Sequence, residues 1–222
     1  MKLCYKVFHI EGMGDSAAIR SELNYKINNY LNNVFNELDT PTIQIMNQTQ
    51  YEDFNKKYGL LNPTDSFKYG ELGIWASNLL AMQNFLESDY DVLMLMEDDI
   101  SYNENFVQLL DAYLKDMPED WDVFIYFCHS NQFSLFNNIY NGARIVPAYQ
   151  DWSMLCYLLN KQGAKKMLDS VKETGINMPI DWYIFRQPDR FKSYTLAPYA
   201  PQGCSLYETT STFQHIDERV IL

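Results

Sequence analysis

Hydrophobic residues in the first part of the chain alternate between the spacings of strands and of amphipathic helices. Residues 1–10 alternate apolar and polar side chains, which predicts a strand. The next segment, which Asp15 or Ser16 can cap, carries apolar residues three and four positions apart and is predicted to form a helix that reaches Leu38. A short second strand is predicted over residues 42–46. The apolar positions of the helix are Leu23, Ile27, Tyr30, Leu31, Val34 and Leu38.

The same alternation continues to about residue 127. Residues 91–96 form an apolar run that is typical of a central parallel strand buried on both faces. A helix that Asn103 caps and that ends before Pro118 is predicted next, followed by a strand over residues 121–127. A helix before the apolar run, which follows a polar stretch, carries one apolar stripe made of Leu72, Trp75, Leu79, Met82 and Leu86.

This order of strands and helices predicts an α/β fold. Alternation of this kind indicates a parallel sheet with helices on both faces and a ligand crevice at the carboxyl ends of its strands. Later in the chain, a strand is predicted over residues 154–159 and a helix over 160–171, with Gly175 as its stop. From Pro179 onward, aromatic residues without helical spacing favour an irregular substrate-binding region.

Composition and charge narrow the class of protein. The 222 residues are 47% hydrophobic and 15% aromatic, which is enough for the core of one domain spanning residues 1–222. A net charge of -12 argues against nucleic acid or an anionic membrane as a partner. The start has no signal-peptide core, and no run approaches the roughly 20 apolar residues of a transmembrane segment, so we expect a cytoplasmic protein. The widely spaced Cys4, Cys128, Cys156 and Cys204 are expected to be reduced.

Three consecutive acids, Glu97, Asp98 and Asp99, directly follow the apolar run at residues 91–96. In an extended segment, alternate side chains share a side, so Glu97 and Asp99 are predicted to converge on one cation while Asp98 points towards supporting residues or sugar hydroxyls. Carboxylate oxygens suit Mg²⁺ or Mn²⁺, and either metal would supply the positive charge that an anionic substrate requires. The alternative is a solvated loop or a helix cap.

The sequence YGELGIWASNLLAMQNFLESDYDVLMLMEDDISYNENF, residues 69–106, resembles the signature stretch of glycosyltransferase family 25. That family includes lipopolysaccharide-type and collagen-modifying galactosyltransferases. The resemblance continues through WDVFIYF at residues 121–127, CYLLNKQGAKKML at 156–168, PID at 179–181 and PYAPQGCS at 198–205.

This resemblance implies a glycosyltransferase A fold, with a Rossmann-like, mostly parallel sheet flanked by helices and an irregular acceptor region. It also implies a nucleotide-sugar donor, often UDP-galactose, bound by about residues 1–128, with about 129–222 binding the acceptor. Residues 97–99 stand at the family's equivalent of the metal-binding Asp-x-Asp motif, which implies Mn²⁺ (or Mg²⁺) as the cofactor. The implied activity is transfer of a hexose to a hydroxyl of a glycan or protein acceptor.

Two departures from the family pattern leave the donor specificity open. His9-Ile10 stands where the family typically has Asn-Leu, and Ser77-Asn78, two candidate substrate-binding residues, stand where it typically has Ser-His. Arg20 is a candidate for binding donor phosphate, with an ordinary helix-surface arginine as the alternative. Glu71, in a Gly-Glu-x-Gly pattern, can contact the donor or favour the first turn of its helix through the helix dipole.

Inverting transfer requires a carboxylate that accepts the proton of the acceptor hydroxyl. Asp181 is the first candidate, with helix capping as its alternative role, and Asp151 is the second. Trp152 and Trp182 can stack on sugar faces or belong to the core. His215 can complete the metal coordination or serve as an ordinary histidine.

Two other functions remain open at this stage. A sugar nucleotidyltransferase also uses an α/β sheet and acid-bound Mg²⁺, but its Gly-rich basic loop is poorly matched by residues 11–15, which have two glycines and no lysine. A non-catalytic nucleotide-sugar or glycan-binding module would keep the fold without turnover.

Overall fold

The secondary structure is seen in a computed structural model that describes residues 1–12, 16–128, 143–148, 154–197 and 200–206. Helices and strands alternate along most of this part of the chain. The elements are β1 (Leu3–Phe8), α1 (Ala17–Leu31), β2 (Asn36–Glu37), α2 (Gln48–Tyr58), α3 (Tyr69–Glu87), β3 (Val92–Glu97), β4 (Ile100–Tyr102), α4 (Phe106–Asp116), β5 (Val123–Cys128), β6 (Ile145–Pro147), β7 (Met154–Asn160), α5 (Lys161–Thr174), α6 (Ile180–Phe185), β8 (Ser193–Leu196) and β9 (Cys204–Leu206).

Seven of the strands form one sheet in the order β2-β1-β3-β7-β5-β8-β6. Strands β2, β1, β3, β5 and β8 run in one direction, while β7 and β6 run in the other. The predicted α/β class with a mostly parallel sheet is therefore confirmed. The expectation that residues 91–96 form a parallel strand holds on one side only, because β3 pairs in parallel with β1 and antiparallel with β7. An apolar run indicates that a strand is buried, but it does not indicate whether the neighbouring strands are parallel or antiparallel to it.

Hydrophobic cores lie on both faces of this sheet. Leu93 and Leu95 of β3 face a core formed with α2, α3, α5 and α6, whereas Met94 and Met96 face a core formed with α1 and α4. The predicted burial of this strand on both faces is confirmed. Helix α3, which has 19 residues, is predicted correctly. Across the described part of the chain, no helix is both long enough and apolar enough to span a membrane.

The first helix is shorter than its apolar spacing predicts. It ends at Leu31, and Val34 is 52% exposed. Asn32 and Asn33 follow the last turn, and asparagine is a weak helix former. Leu38 is buried for another reason, since its backbone N–H donates to the carbonyl of Tyr5 at 2.8 Å and continues the pairing with β1.

The predicted strand at residues 42–46 is wrong, and α2 was not predicted. Residues 41–46 have no strand pairing, and the Ile43 N–H donates instead to the Ser77 hydroxyl at 2.8 Å. Helix α2 is capped at its start by Asn47, whose side chain accepts from the Gln50 N–H, and at its end by Gly59 in the left-handed conformation (φ 63°). Its apolar stripe consists of only three aromatic residues in an otherwise polar segment, Tyr51, Phe54 and Tyr58, and of these only Phe54 is buried.

Candidate active site

The acidic triplet lies at the carboxyl end of β3, in the middle of the sheet. In the parallel pair of β1 and β3, Phe8 is opposite Glu97, so both strands end at the same edge. Asp98 and Asp99 form the turn that follows, and the chain then enters β4. This is the sheet edge at which α/β proteins bind ligands.

A cavity of about 350 Å³ opens beside the triplet. Its charged side chains are Arg20, Lys68, Glu71, Glu97, Asp98 and Asp181. Its apolar side chains include Phe8, Ile74, Trp75, Met96, Pro179 and Ile180. An apolar cleft with a few convergent polar groups is typical of a small-molecule site, and the predicted site residues Arg20, Glu71, Ser77, Asn78, Glu97, Asp98 and Asp181 all line it.

Arg20 is a buried cation that joins the two aspartates of the turn. It lies in the first turn of α1, is 7% exposed and donates to Asp98 Oδ1 and, at 3.1 Å, to Asp99 Oδ2. The other oxygen of Asp98, Oδ2, lies 2.6 Å from Nδ1 of His9. Arg20 is therefore not a helix-surface arginine, and both oxygens of Asp98 are bonded to protein groups.

Glu97 carries the most perturbed carboxyl group of the site. Its pKa is raised to about 8, first by burial and then by the negative charges of Asp99, Asp98 and Asp181, against the lowering effect of Arg20. Like charges this close disfavour ionisation unless a cation compensates them. The Arg20 guanidinium alone does not balance the acids at this sheet edge.

A divalent cation matches the chemistry of Glu97 and Asp99, because their hard carboxylate oxygens are the donors that Mg²⁺ and Mn²⁺ prefer. Asp99 is the charge that raises the pKa of Glu97 most. Within the described residues, no group of three His, Cys, Asp or Glu side chains is placed to hold a metal ion. Glu97 lines the cavity whereas Asp99 is not among its lining residues, and His215, the predicted additional ligand, lies outside the described residues.

Asp181 faces the cavity from the first turn of α6, across from the acidic triplet. Its Oδ1 accepts from the Trp182 N–H at 2.8 Å, which fixes the carboxylate. Helix α6 is anchored by Tyr183, whose hydroxyl lies 2.7 Å from that of Ser170. Trp182 is not among the residues that line the cavity, and its ring lies 4.2 Å from the Arg186 guanidinium.

The remaining wall comes from α3, where polar side chains bond to the protein itself. Glu71 accepts from the Lys68 N–H at 2.8 Å, which caps the helix start. Ser77 donates to the Gly73 carbonyl at 2.8 Å, and Asn78 accepts from the hydroxyl of Tyr157. Burial and the nearby charge of Glu97 raise the pKa of Tyr157 well above its usual value, so this hydroxyl stays protonated.

Three predicted site residues, Asp151, Trp152 and His215, lie outside the described residues. Sequence reasoning missed His9 and treated Trp75 only as core. Trp75 is indeed 1% exposed, and it also lines the cavity and donates from Nε1 to the Met178 carbonyl at 3.1 Å. The sequence feature that points to His9 is its position directly after the first strand. Once β1 is known to pair with β3, that position places His9 next to Asp98.

Comparison with known proteins identifies the family. Residues 17–184 match the family model described as "Glycosyltransferase family 25 (LPS biosynthesis protein)". A proposed glycosyltransferase of Haemophilus influenzae is 24% identical over 161 residues, a match that covers 69% of this chain and 55% of that protein. The chain thus spans about half the length of this relative.

Two solved structures are also similar. A197 from STIV has a TM-score of 0.43 at 12% identity, and the match covers 95% of this chain and 96% of A197. Drosophila β-1,4-galactosyltransferase 7, in complex with manganese, UDP-Gal and xylobiose, has a TM-score of 0.41 at 14% identity, with 94% of this chain covering 71% of that one. Scores this low do not establish a shared ligand or mechanism.

Proposed function

Since the chain belongs to glycosyltransferase family 25, we propose that it moves a hexose, with galactose favoured, from a UDP-sugar to a hydroxyl of a glycan or protein acceptor. The observation that carries this proposal is the cavity at the carboxyl ends of β1 and β3. There, the buried Arg20, Glu97 with its raised pKa, and Asp181 line one cavity that is large enough for part of a nucleotide sugar.

In this proposal, Arg20 binds the diphosphate of the donor. Its guanidinium is nearly buried, so a phosphate that meets it interacts in a medium of low dielectric constant. Asp98 and Asp99 hold the guanidinium in one orientation, which spares the donor the entropic penalty of ordering it. The role of Asp98 is then to orient Arg20.

Glu97 and Asp99 would hold the Mn²⁺ or Mg²⁺ ion, and the raised pKa of Glu97 supports a cation beside this pair. When bound, such a cation offsets the charge that develops on the departing diphosphate. Glu97 must lose its proton to serve as a ligand, so metal affinity is expected to increase with pH up to about 8.

Asp181 is proposed as the base of an inverting reaction. Its carboxylate accepts the proton of the acceptor hydroxyl while the acceptor oxygen bonds to the anomeric carbon. The bond between that carbon and the phosphate oxygen breaks, and the nucleoside diphosphate leaves with the electron pair. The bond from the Trp182 N–H holds one oxygen of Asp181 and leaves the carboxylate at the cavity wall.

A panel of UDP- and GDP-sugars with Mn²⁺ tests the proposed function. We expect nucleoside diphosphate release from one UDP-sugar, lost in chelator and reduced at least about a hundredfold in Asp181→Asn, as expected for removal of a general base. Asp189→Asn, an exposed aspartate four residues beyond α6, is the matched control and should keep full activity.

Other outcomes of the same panel would contradict transfer. Saturable binding of a UDP-sugar with no release from any donor, in the presence of glycan acceptors, would indicate a binding module. Pyrophosphate release from a nucleoside triphosphate would indicate a nucleotidyltransferase.

A further inference from the structure

We propose that His9 is a positioning residue of the donor site, which fixes Asp98 and, through Asp98, the guanidinium of Arg20. This inference rests on the proposed function. His9 is not among the residues that line the cavity, whereas Asp98 and Arg20 both line it. Any effect of His9 on the donor must therefore pass through these two side chains.

The sheet register brings His9 to Asp98. Strand β1 ends at Phe8, which is opposite Glu97, so the next residue of each strand lies at the same level. The His9 backbone N–H donates to Thr42 Oγ1 at 3.3 Å, which holds the chain after the strand. Its ring is 14% exposed, and Nδ1 lies 2.6 Å from Asp98 Oδ2.

The partners of the ring fix its hydrogen positions. The Asp98 carboxylate can only accept, so Nδ1 carries the proton and donates it. Nε2 lies 3.4 Å from the Ser21 hydroxyl, which can donate to it. His9 therefore contacts the acidic turn on one side and, on the other, the residue that follows Arg20 on α1.

The two oxygens of Asp98 are held from opposite sides. Arg20 donates to Oδ1 and His9 donates to Oδ2, while the second arm of Arg20 reaches Asp99 Oδ2 at 3.1 Å. Without the His9 ring, Asp98 keeps one of these two bonds and gains freedom to rotate. The guanidinium then loses part of its fixed position beside the cavity, and the donor diphosphate meets a less ordered partner.

Two substitutions separate positioning from general stability. His9→Leu removes the donor to Asp98, whereas His9→Asn keeps a side-chain N–H that can donate to it. The affinity for UDP is measured by calorimetric titration in the presence of Mn²⁺. We expect His9→Leu to bind UDP about tenfold more weakly than wild type, because one charge-assisted hydrogen bond is lost. The UDP affinity of His9→Asn should stay within about threefold of the wild-type affinity. The donor KM should rise with the loss of affinity, and the acceptor KM should not change.

Ring nitrogen NMR gives a readout that does not depend on activity. The protein has three histidines, and we expect the His9 signals to show an Nδ1-protonated ring that persists in wild type and is lost in Asp98→Ala, which removes the acceptor. Equal UDP affinity in wild type and a folded His9→Leu would overturn the positioning role, as would a His9 ring that carries its proton on Nε2 and none on Nδ1. If wild type itself neither binds UDP nor releases it from any UDP-sugar, the proposed function fails instead.

Discussion

Replacement of Arg20 by methionine tests the charge balance of the site. In the native protein, the guanidinium stands between Asp98 and Asp99, and all three residues are at most 7% exposed. Methionine keeps most of the apolar stem of the side chain and removes the charge. The two aspartates, together with Glu97, are then left facing one another in a poorly solvated corner.

The expected loss of stability follows from that burial. Removing one partner of a buried ion pair costs about 3–5 kcal/mol, because the remaining charge stays uncompensated. For a domain of this size, each kcal/mol shifts the melting temperature by roughly 2–4 °C, so we expect a fall of roughly 6–20 °C. Arg20 also lowers the pKa of Glu97, which is about 8 in wild type, so this pKa rises further in the variant, and the stability difference from wild type should increase from pH 7 to pH 9.

Urea unfolding in chelator, followed by circular dichroism at both pH values, measures this difference. The control is Arg190→Met, because Arg190 pairs at 2.8 Å with Glu173, whose side chain is 68% exposed, and such surface pairs contribute about 0–1 kcal/mol. A loss in Arg20→Met no larger than in Arg190→Met, or a loss independent of pH, would refute the role of Arg20 as the buried counter-ion.

Two further predictions concern stability. Glu97→Gln should stabilise the metal-free protein at pH 7 by on the order of 3 kcal/mol. The wild-type carboxyl has a folded pKa of about 8, so wild type loses stability as pH rises from about 4.5 to about 8, and the variant does not. A difference in urea midpoint that does not change with pH would contradict this. Gly163→Ala should lower stability by at least ~1–3 kcal/mol in the same assay, because its Cβ would lie 2.0 Å from the Asp122 carbonyl oxygen, and an unchanged midpoint would disprove that contact.

The sequence predicts the elements whose apolar pattern is strong. Helix α3 and strand β3 are recognised because each buries long apolar runs, and α5 is bounded by the side chain of Asn160 and by Gly175. Helix α2 is missed because its apolar positions are three aromatic residues in an otherwise polar segment, and only one of them is buried. The reversed direction of β7 is also absent from the pattern, since buried strands of either direction are equally apolar.

The candidate site is predictable only in part. The position of the acidic triplet at a sheet edge follows from the strand that precedes it, and Asp98 both lines the cavity and contacts Arg20 and His9 through its two oxygens. The identity of those partners cannot be predicted from spacing, because the contact between Arg20 and Asp98 spans 78 residues and depends on how α1 docks.

A crystal structure of the protein with UDP and Mn²⁺ tests the central claim most directly. The account predicts the diphosphate within hydrogen-bond distance of the Arg20 guanidinium and the cation beside Glu97 and Asp99. Ligand bound instead in the cavity at the amino ends of β1 and β3, which Lys2 and Leu110 help to line, with the carboxyl-end cavity empty, would contradict it.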